Sequence, residues 1–139
     1  MKIIQESMEL STKGFTDIVD ITAEVQEMVE KAGLSEGHVI VFIPGATAGV
    51  TTIEYEPGLL KDLPEALEKV APMGKTYHHD DTWGDGNGFS HVRAALTGPS
   101  LTVPFSKGRL TLGTWQQIII MDFDNRSRTR RVAVQLVGE

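Results

Sequence analysis

The stretch LTVPFSKGRLTLGTWQQIIIMDFDNRSRTRRVAVQLV, residues 101–137, decides how this chain folds. Leu101 to Phe105 is apolar and β-branched and runs into the turn Ser106-Lys107-Gly108. Arg109 to Trp115 continues into Gln116 to Phe123, and after Asp124-Asn125 the segment Val132 to Val137 is again apolar. Short apolar runs separated by turn residues read as antiparallel strands joined by tight connections. Nothing in these 37 residues has helical spacing, so the C-terminal half is expected to be sheet.

Helices are expected only before that stretch. Ile21, Val25, Met28, Val29 and Ala32 fall on one helical face, and Gly33 is a natural residue to follow its end. A second helical pattern uses Leu59, Leu60, Leu63, Leu67 and Val70, with Pro64 predicting a kink or restart and Pro72 a stop. Ser90 is placed to cap a short helix through Val92, Ala94, Ala95 and Leu96, ended by Gly98-Pro99. Residues 3–10 and 15–21 suit two strands about a turn at 11–14, and His38 to Ile43 and Val50 to Tyr55 suit two more. The expectation is an α+β fold with mostly antiparallel sheet layers, two main helices and one short helix, in a single domain over residues 1–139.

The 139 residues carry a net charge of -6, with a pI near 5.2. An acidic chain lacks the surplus of Lys and Arg that phosphate backbones and anionic membranes require, so neither nucleic acid nor membrane is an expected partner. The basic run Arg126 to Arg131 reads as a turn followed by exposed strand positions. There is no cysteine, which removes disulfides, thiolate metal sites and a thiol nucleophile. No segment approaches the ~20 apolar residues of a membrane span, and none has the form of a secretory signal, so the expected location is cytoplasmic.

Chemistry is expected in YHHDDTWGDGNGFSH, residues 77–91, which holds three of the four histidines together with Asp80, Asp81, Asp85 and Asn87 among glycines. Imidazoles and carboxylates bind divalent metals and move protons near neutral pH, and crowding them on one loop nominates a site. His91, near a helix N-terminus, is expected to be neutral and suited to ligation or base work. Asp81 and Asp85 are candidates for Mg²⁺. Arg93, Ser106, Lys107 and Arg109 are candidates for recognising a phosphate, and Gln116 and Thr47 are polar groups at places where a ligand or a neighbouring chain could approach. Trp115 reads as a core or interface aromatic.

The order of several pieces carries a resemblance. Pro44-Gly45-Ala46-Thr47-Ala48-Gly49-Val50-Thr51 precedes Glu54-Tyr55-Glu56-Pro57-Gly58; then come His79, Asn87 and His91; then Gly98-Pro99-Ser100; and finally Gly108 to Gln117, with Leu-Gly-Thr-Trp-Gln inside it. Over nearly the whole chain this resembles the YjbQ-like family, known as secondary thiamine-phosphate synthase proteins. The resemblance implies a compact α+β homotrimer with sites near subunit boundaries. It also implies an enzyme that joins a hydroxymethylpyrimidine diphosphate to a thiazole phosphate and releases pyrophosphate, with phosphorylated small molecules as partners. The family's histidines map onto His79 and His91, with Asn87 between them as a third catalytic candidate and His78 as a bystander. His79, His91, Asp81 and Asp85 are the implied holders of a divalent metal, Mg²⁺ or Zn²⁺. Many members carry a further histidine where this chain has Gly45, so the implied ligand set is one short. Two other functions stay open beside the synthase: a metal-dependent hydrolase or lyase, and a non-catalytic trimeric ligand-binding protein.

Overall fold

A computed structural model describes all of residues 1–139. In chain order the elements are β1 (Lys2–Thr12), β2 (Asp17–Asp20), α1 (Thr22–Ala32), β3 (Glu36–Phe42), β4 (Ala48–Ile53), α2 (Leu59–Val70), α3 (His78–Trp83), α4 (Gly88–Thr97), β5 (Ser100–Ser106), β6 (Arg109–Leu110), β7 (Gln117–Asp122) and β8 (Arg128–Gly138). The strands form a five-stranded sheet in the order β1-β8-β3-β5-β6 and a three-stranded sheet in the order β2-β7-β4. Every pairing is antiparallel. The fold is therefore α+β, with the sheets dominating.

The main core lies between the sheets and under α1. Val39 and Val41 of β3, Val132, Val134 and Leu136 of β8 and Val25 and Val29 of α1 are all fully buried there. Strand β7 is buried on both faces: Ile118 and Ile120 point into this core, while Ile119 and Met121 join Phe123 and Ala94 in a second cluster roofed by Leu63 and Leu67 of α2. That explains its uninterrupted Ile-Ile-Ile-Met sequence, since a strand covered on both sides shows no alternation. Burying each of these side chains contributes about 1.5–3 kcal/mol.

Helix α1 ends where its pattern stops, with Gly33 in the left-handed region at φ 66°. The structure departs from the sequence expectation in three places. Helix α2 runs through Pro64 as one element rather than restarting. The expected strand from Arg109 to Phe123 is two strands, because Thr111 turns back to bond the carbonyl of Pro104 through both its N–H and its hydroxyl, and Gln116 folds over Gly113. Trp115, on the loop so formed, is 72% exposed. The expected loop at 77–91 contains a helix of its own, α3, so there are four helices instead of three.

Candidate functional site

The site is built where α3 and α4 meet the loop from β3 to β4 and the turn from β7 to β8. Asp80 creates the helical junction. Its Oδ2 accepts the Tyr77 N–H at 3.0 Å, capping α3, and its Oδ1 accepts the Gly88 N–H at 3.0 Å, at the start of α4. A side chain at residue 88 would collide with the Tyr77 ring and Cβ, so only glycine lets the two helices come this close. The consequence is that His79 on α3 and His91 on α4 lie with ring centroids 4.2 Å apart, tilted by 36°. In an extended segment His78 and His79 would point to opposite sides; on a helix they are separated by about 100°, and His78 is left exposed while His79 turns inward.

His79 Nδ1 is buried and has no hydrogen-bond partner. The nearest charges to it are the carboxylates of Asp85, 3.6 Å away, and Asp80, 3.9 Å away. One ligand atom each from His79, Asp80 and Asp85 fall within 4.8 Å of one another. Asp80 is already committed to two backbone amides, and their hydrogen bonds, that of Tyr77 most of all, outweigh burial and hold its carboxyl below the usual carboxylate range. His91 is also shifted downward: burial disfavours its charged form most, the adjacent His79 adds to this, and Asp85 and Asp124 pull the other way. Packing and a neighbouring imidazole thus favour its neutral form. A neutral imidazole is the form that binds metals.

Behind the histidines lies an ion network. Asp122 and Asp124 are fully buried. Arg130 grips Asp122 with both edges of its fork, Nε to Oδ2 at 2.7 Å and Nη2 to Oδ1 at 2.9 Å, and Thr12 donates to the same carboxylate. Arg128 donates through Nε and Nη2 to Asp124 Oδ2 at 3.2 and 3.0 Å. Thr47 joins the two halves: its hydroxyl donates to Asp124 Oδ2 at 2.9 Å and accepts from Arg130 Nη2 at 2.6 Å. Burial would raise both aspartates, but the hydrogen bonds from Arg130 and Thr12 to Asp122, and from Thr47 and Arg128 to Asp124, outweigh it and hold both below the ordinary range. Asp124 Oδ1 is nevertheless buried with no partner. Asn87 ties this network to α4, its Oδ1 accepting from Ser90 Oγ at 2.6 Å and from the Asn125 N–H at 3.1 Å.

His79, His91, Asn87, Asp85 and Thr47 are therefore gathered in one region. The other expected residues lie outside it. Asp81 is exposed and belongs to no ligand cluster; Asp80 takes the place it was expected to hold. Arg93 is 2% exposed, and its donors are spent on the Ala71 carbonyl, the Thr16 hydroxyl and Glu68. A buried guanidinium with all three edges engaged holds elements together and has nothing left for a phosphate. Ser106 and Lys107 bond Glu36, and Arg109 faces Glu30 at 3.5 Å. These three stand at the start of β3, roughly 20 Å of strand away from its Gly45 end. Gln116, on the loop before β7, donates to Thr52 of β4. The sequence expectation missed Asp124, Asp122, Arg128 and Arg130. Their signal was present: the alternation that buries Val132, Val134 and Leu136 extends back through Arg130 and Arg128, placing both on the inner face of β8.

A cleft of about 230 Å³ opens beside His91, floored by Ala94 and walled by Gly45, Ala46 and Ala48. Its small side chains leave the imidazole approachable.

An α+β sheet protein carrying a paired-histidine, carboxylate-lined site is the class these features define. The family model described as "UPF0047 protein YjbQ-like" matches residues 6–139, and the chain belongs to that family. A UPF0047 protein of Archaeoglobus fulgidus is 42% identical over 92% of this chain and 97% of its own length, and the UPF0047 protein YugU of Bacillus subtilis is 31% identical over 96% and 98%. Among solved structures, a YbjQ-like protein of unknown function from Sulfolobus solfataricus superposes with a TM-score of 0.93 at 29% identity, covering 99% of each chain. An uncharacterised protein of the same family from Clostridium acetobutylicum gives 0.86 at 35% identity, over 95% of this chain and 99% of its own. These relatives correct the functional expectation. They are described as family members of unknown function, and none carries thiamine-phosphate synthase activity in its description. No helix of the chain is long and apolar enough to cross a membrane.

Proposed function

We propose that this protein binds a divalent metal ion through His79 and His91, with Asp85 and Asp124 as carboxylate donors, at a centre open to a small ligand. The observation that carries this is the pair of buried atoms without partners, His79 Nδ1 and Asp124 Oδ1, with the His91 ring packed on that of His79. An unsatisfied buried nitrogen or carboxylate oxygen costs about 1–3 kcal/mol, more for the charged one, and a cation supplies what both lack. Mixed imidazole and carboxylate donors suit Zn²⁺ or a neighbouring first-row ion better than Mg²⁺, which prefers oxygen alone. Gly45 offers no side chain where the resemblance implies a third histidine, and in this reading Asp124 supplies the missing donor. A bound cation of this kind would polarise a ligand oxygen or acidify a bound water. The residues themselves supply orientation: Asp80 fixes α3 against α4, and Asn87 fixes α4 against the β7–β8 turn.

The test is direct. Titration of Zn²⁺ into metal-stripped protein, followed by calorimetry and by metal content after gel filtration, is expected to give one ion per chain. His79→Ala and His91→Ala are each expected to weaken it at least a hundredfold, and Asp81→Ala to leave it unchanged. Wild-type protein that retains no metal refutes the proposal.

Self-association as a homotrimer is proposed alongside. Trp83 and Trp115 are each 72% exposed and Ile3 is 68% exposed, apolar side chains that a subunit contact would cover. Light scattering should give a mass of three chains, and Trp115→Ser should lower it; a monomeric wild type would remove this part.

A further inference from the structure

Arg130 holds more hydrogen-bonding capacity than its protein partners use. Nε and Nη2 are engaged by Asp122 and Thr47, while Nη1 donates to no protein atom. The side chain is 11% exposed, so this edge is fixed in place by a buried, bidentate partner instead of waving in solvent. Nη1 lies 3.1 Å from where a Cβ on Gly45 would sit, and Gly45 lines the cleft beside His91. Gly45 has φ 112°, where side chains are rarely tolerated, so the backbone there both demands glycine and leaves the guanidinium edge uncovered. Arg130 stands behind Gly45 rather than in the cleft wall itself, and a planar N–H edge held rigidly there is the arrangement that recognises an oxyanion.

We infer that Arg130, through Nη1, recognises an oxyanion group, phosphate or carboxylate, on the small ligand admitted by the cleft. The inference rests on the metal centre proposed above, because Arg128 and Arg130 only balance Asp122 and Asp124 in charge. An anion entering a neutral network gains attraction chiefly from an additional cation nearby. The metal and the guanidinium edge would then hold the same ligand from two sides. Arg130, unlike the exposed Lys107 and Arg109, loses no side-chain freedom on contact, since Asp122 has already fixed it.

Binding of inorganic phosphate and of acetate to Zn²⁺-loaded protein, measured by calorimetry, tests this. Phosphate is the expected stronger ligand if the group recognised is a phosphoryl, acetate if it is a carboxylate. Arg130→Lys keeps a positive charge beside Asp122 but lacks the second edge; Gly45→Ala sets a methyl against Nη1 while removing none of the groups of the Arg130–Asp122 pair. Both are expected to weaken the preferred anion about tenfold to a hundredfold at saturating Zn²⁺, with thermal melting confirming the fold. Unchanged anion affinity in the two folded variants, or a Zn²⁺-loaded wild type that binds neither anion, overturns the assignment. Should wild type take up no Zn²⁺, the metal proposal fails by itself. The anion titration on metal-free protein then decides Arg130 separately: loss in both variants upholds it, and no binding or no loss overturns it.

Discussion

Replacing Arg93 by methionine should cost stability and leave the metal centre chemically intact. The side chain is 2% exposed and bonds three separate segments: Nε to the Ala71 carbonyl after α2 at 2.9 Å, Nη1 to Thr16 Oγ1 after β1 at 2.9 Å, and Nη2 to Glu68 Oε2 in α2 at 2.6 Å. Methionine fills most of the volume, so a cavity is not the main loss. Ala71 and Thr16 are 1% and 7% exposed, and each is left with a buried acceptor facing an apolar group, about 1–3 kcal/mol apiece. Glu68 is 46% exposed and regains water, so its ion pair adds no more than about 1 kcal/mol. The sum is about 2–7 kcal/mol, which for a domain of this size lowers Tm by roughly 7–24 °C. Urea unfolding followed by circular dichroism measures it. A loss below about 1 kcal/mol would refute the claim that Arg93 clamps these segments, and a selective loss of phosphate binding at full stability would return it to the ligand-binding role expected from sequence.

Further outcomes are expected. Gly88→Val, which drives a side chain into Tyr77, should separate α3 from α4 and weaken Zn²⁺ binding at least tenfold; near wild-type affinity would show that the helix junction does not set the histidine pair. The folded chain holds Asp80, Asp122 and Asp124 below their unfolded values near 3.8, so their contribution is complete above that pH and is lost as pH falls through the depressed folded values. Urea midpoints should therefore drop steeply below about pH 4, and Asp122→Asn should flatten that drop. His91 is depressed from 6.5, so its contribution is present above that value and is lost as pH falls toward the folded value. A His91→Gln variant should lose less stability than wild type between about pH 6.5 and 5 in the absence of metal; an identical slope would show that His91 is not held neutral.

Local periodicity revealed most of the architecture. The face from Ile21 to Ala32 and the terminating Gly33 are determined within one helix, and the apolar runs of β3, β5 and β8 are too dense to be anything but covered strands. The segment Thr111–Gln116 escaped because Leu110 and Leu112 mimic strand alternation, whereas the turn depends on a carbonyl of Pro104 seven residues earlier. Helix α3 escaped for a similar reason: six residues without an apolar stripe give no periodic signal, and it is a cap from Asp80 and the contact with Gly88 that sustain it. At the site, the histidines and Asn87 were conspicuous by chemistry, but the basic run at 126–131 looked like solvated surface. Arg128 and Arg130 carry on the inward alternation of β8 and meet two aspartates that sequence spacing alone does not place opposite them.

The position of β8 also governs how the chain can fold. It is the last strand in sequence and a central one in space, pairing with β1 from Lys2↔Gly138 to Thr12↔Arg128 and with β3 on its other side. During synthesis β1 and β3 are made long before the strand that joins them, so β1 cannot join the β3-β5-β6 part of the sheet until β8 is complete. Contacts this distant in sequence make for slow folding and leave two apolar strand edges open to other chains in the meantime. Arg130 arrives with β8, so Asp122 and Asp124 remain hydrated until that strand docks, and the site is assembled in the same event that completes the sheet.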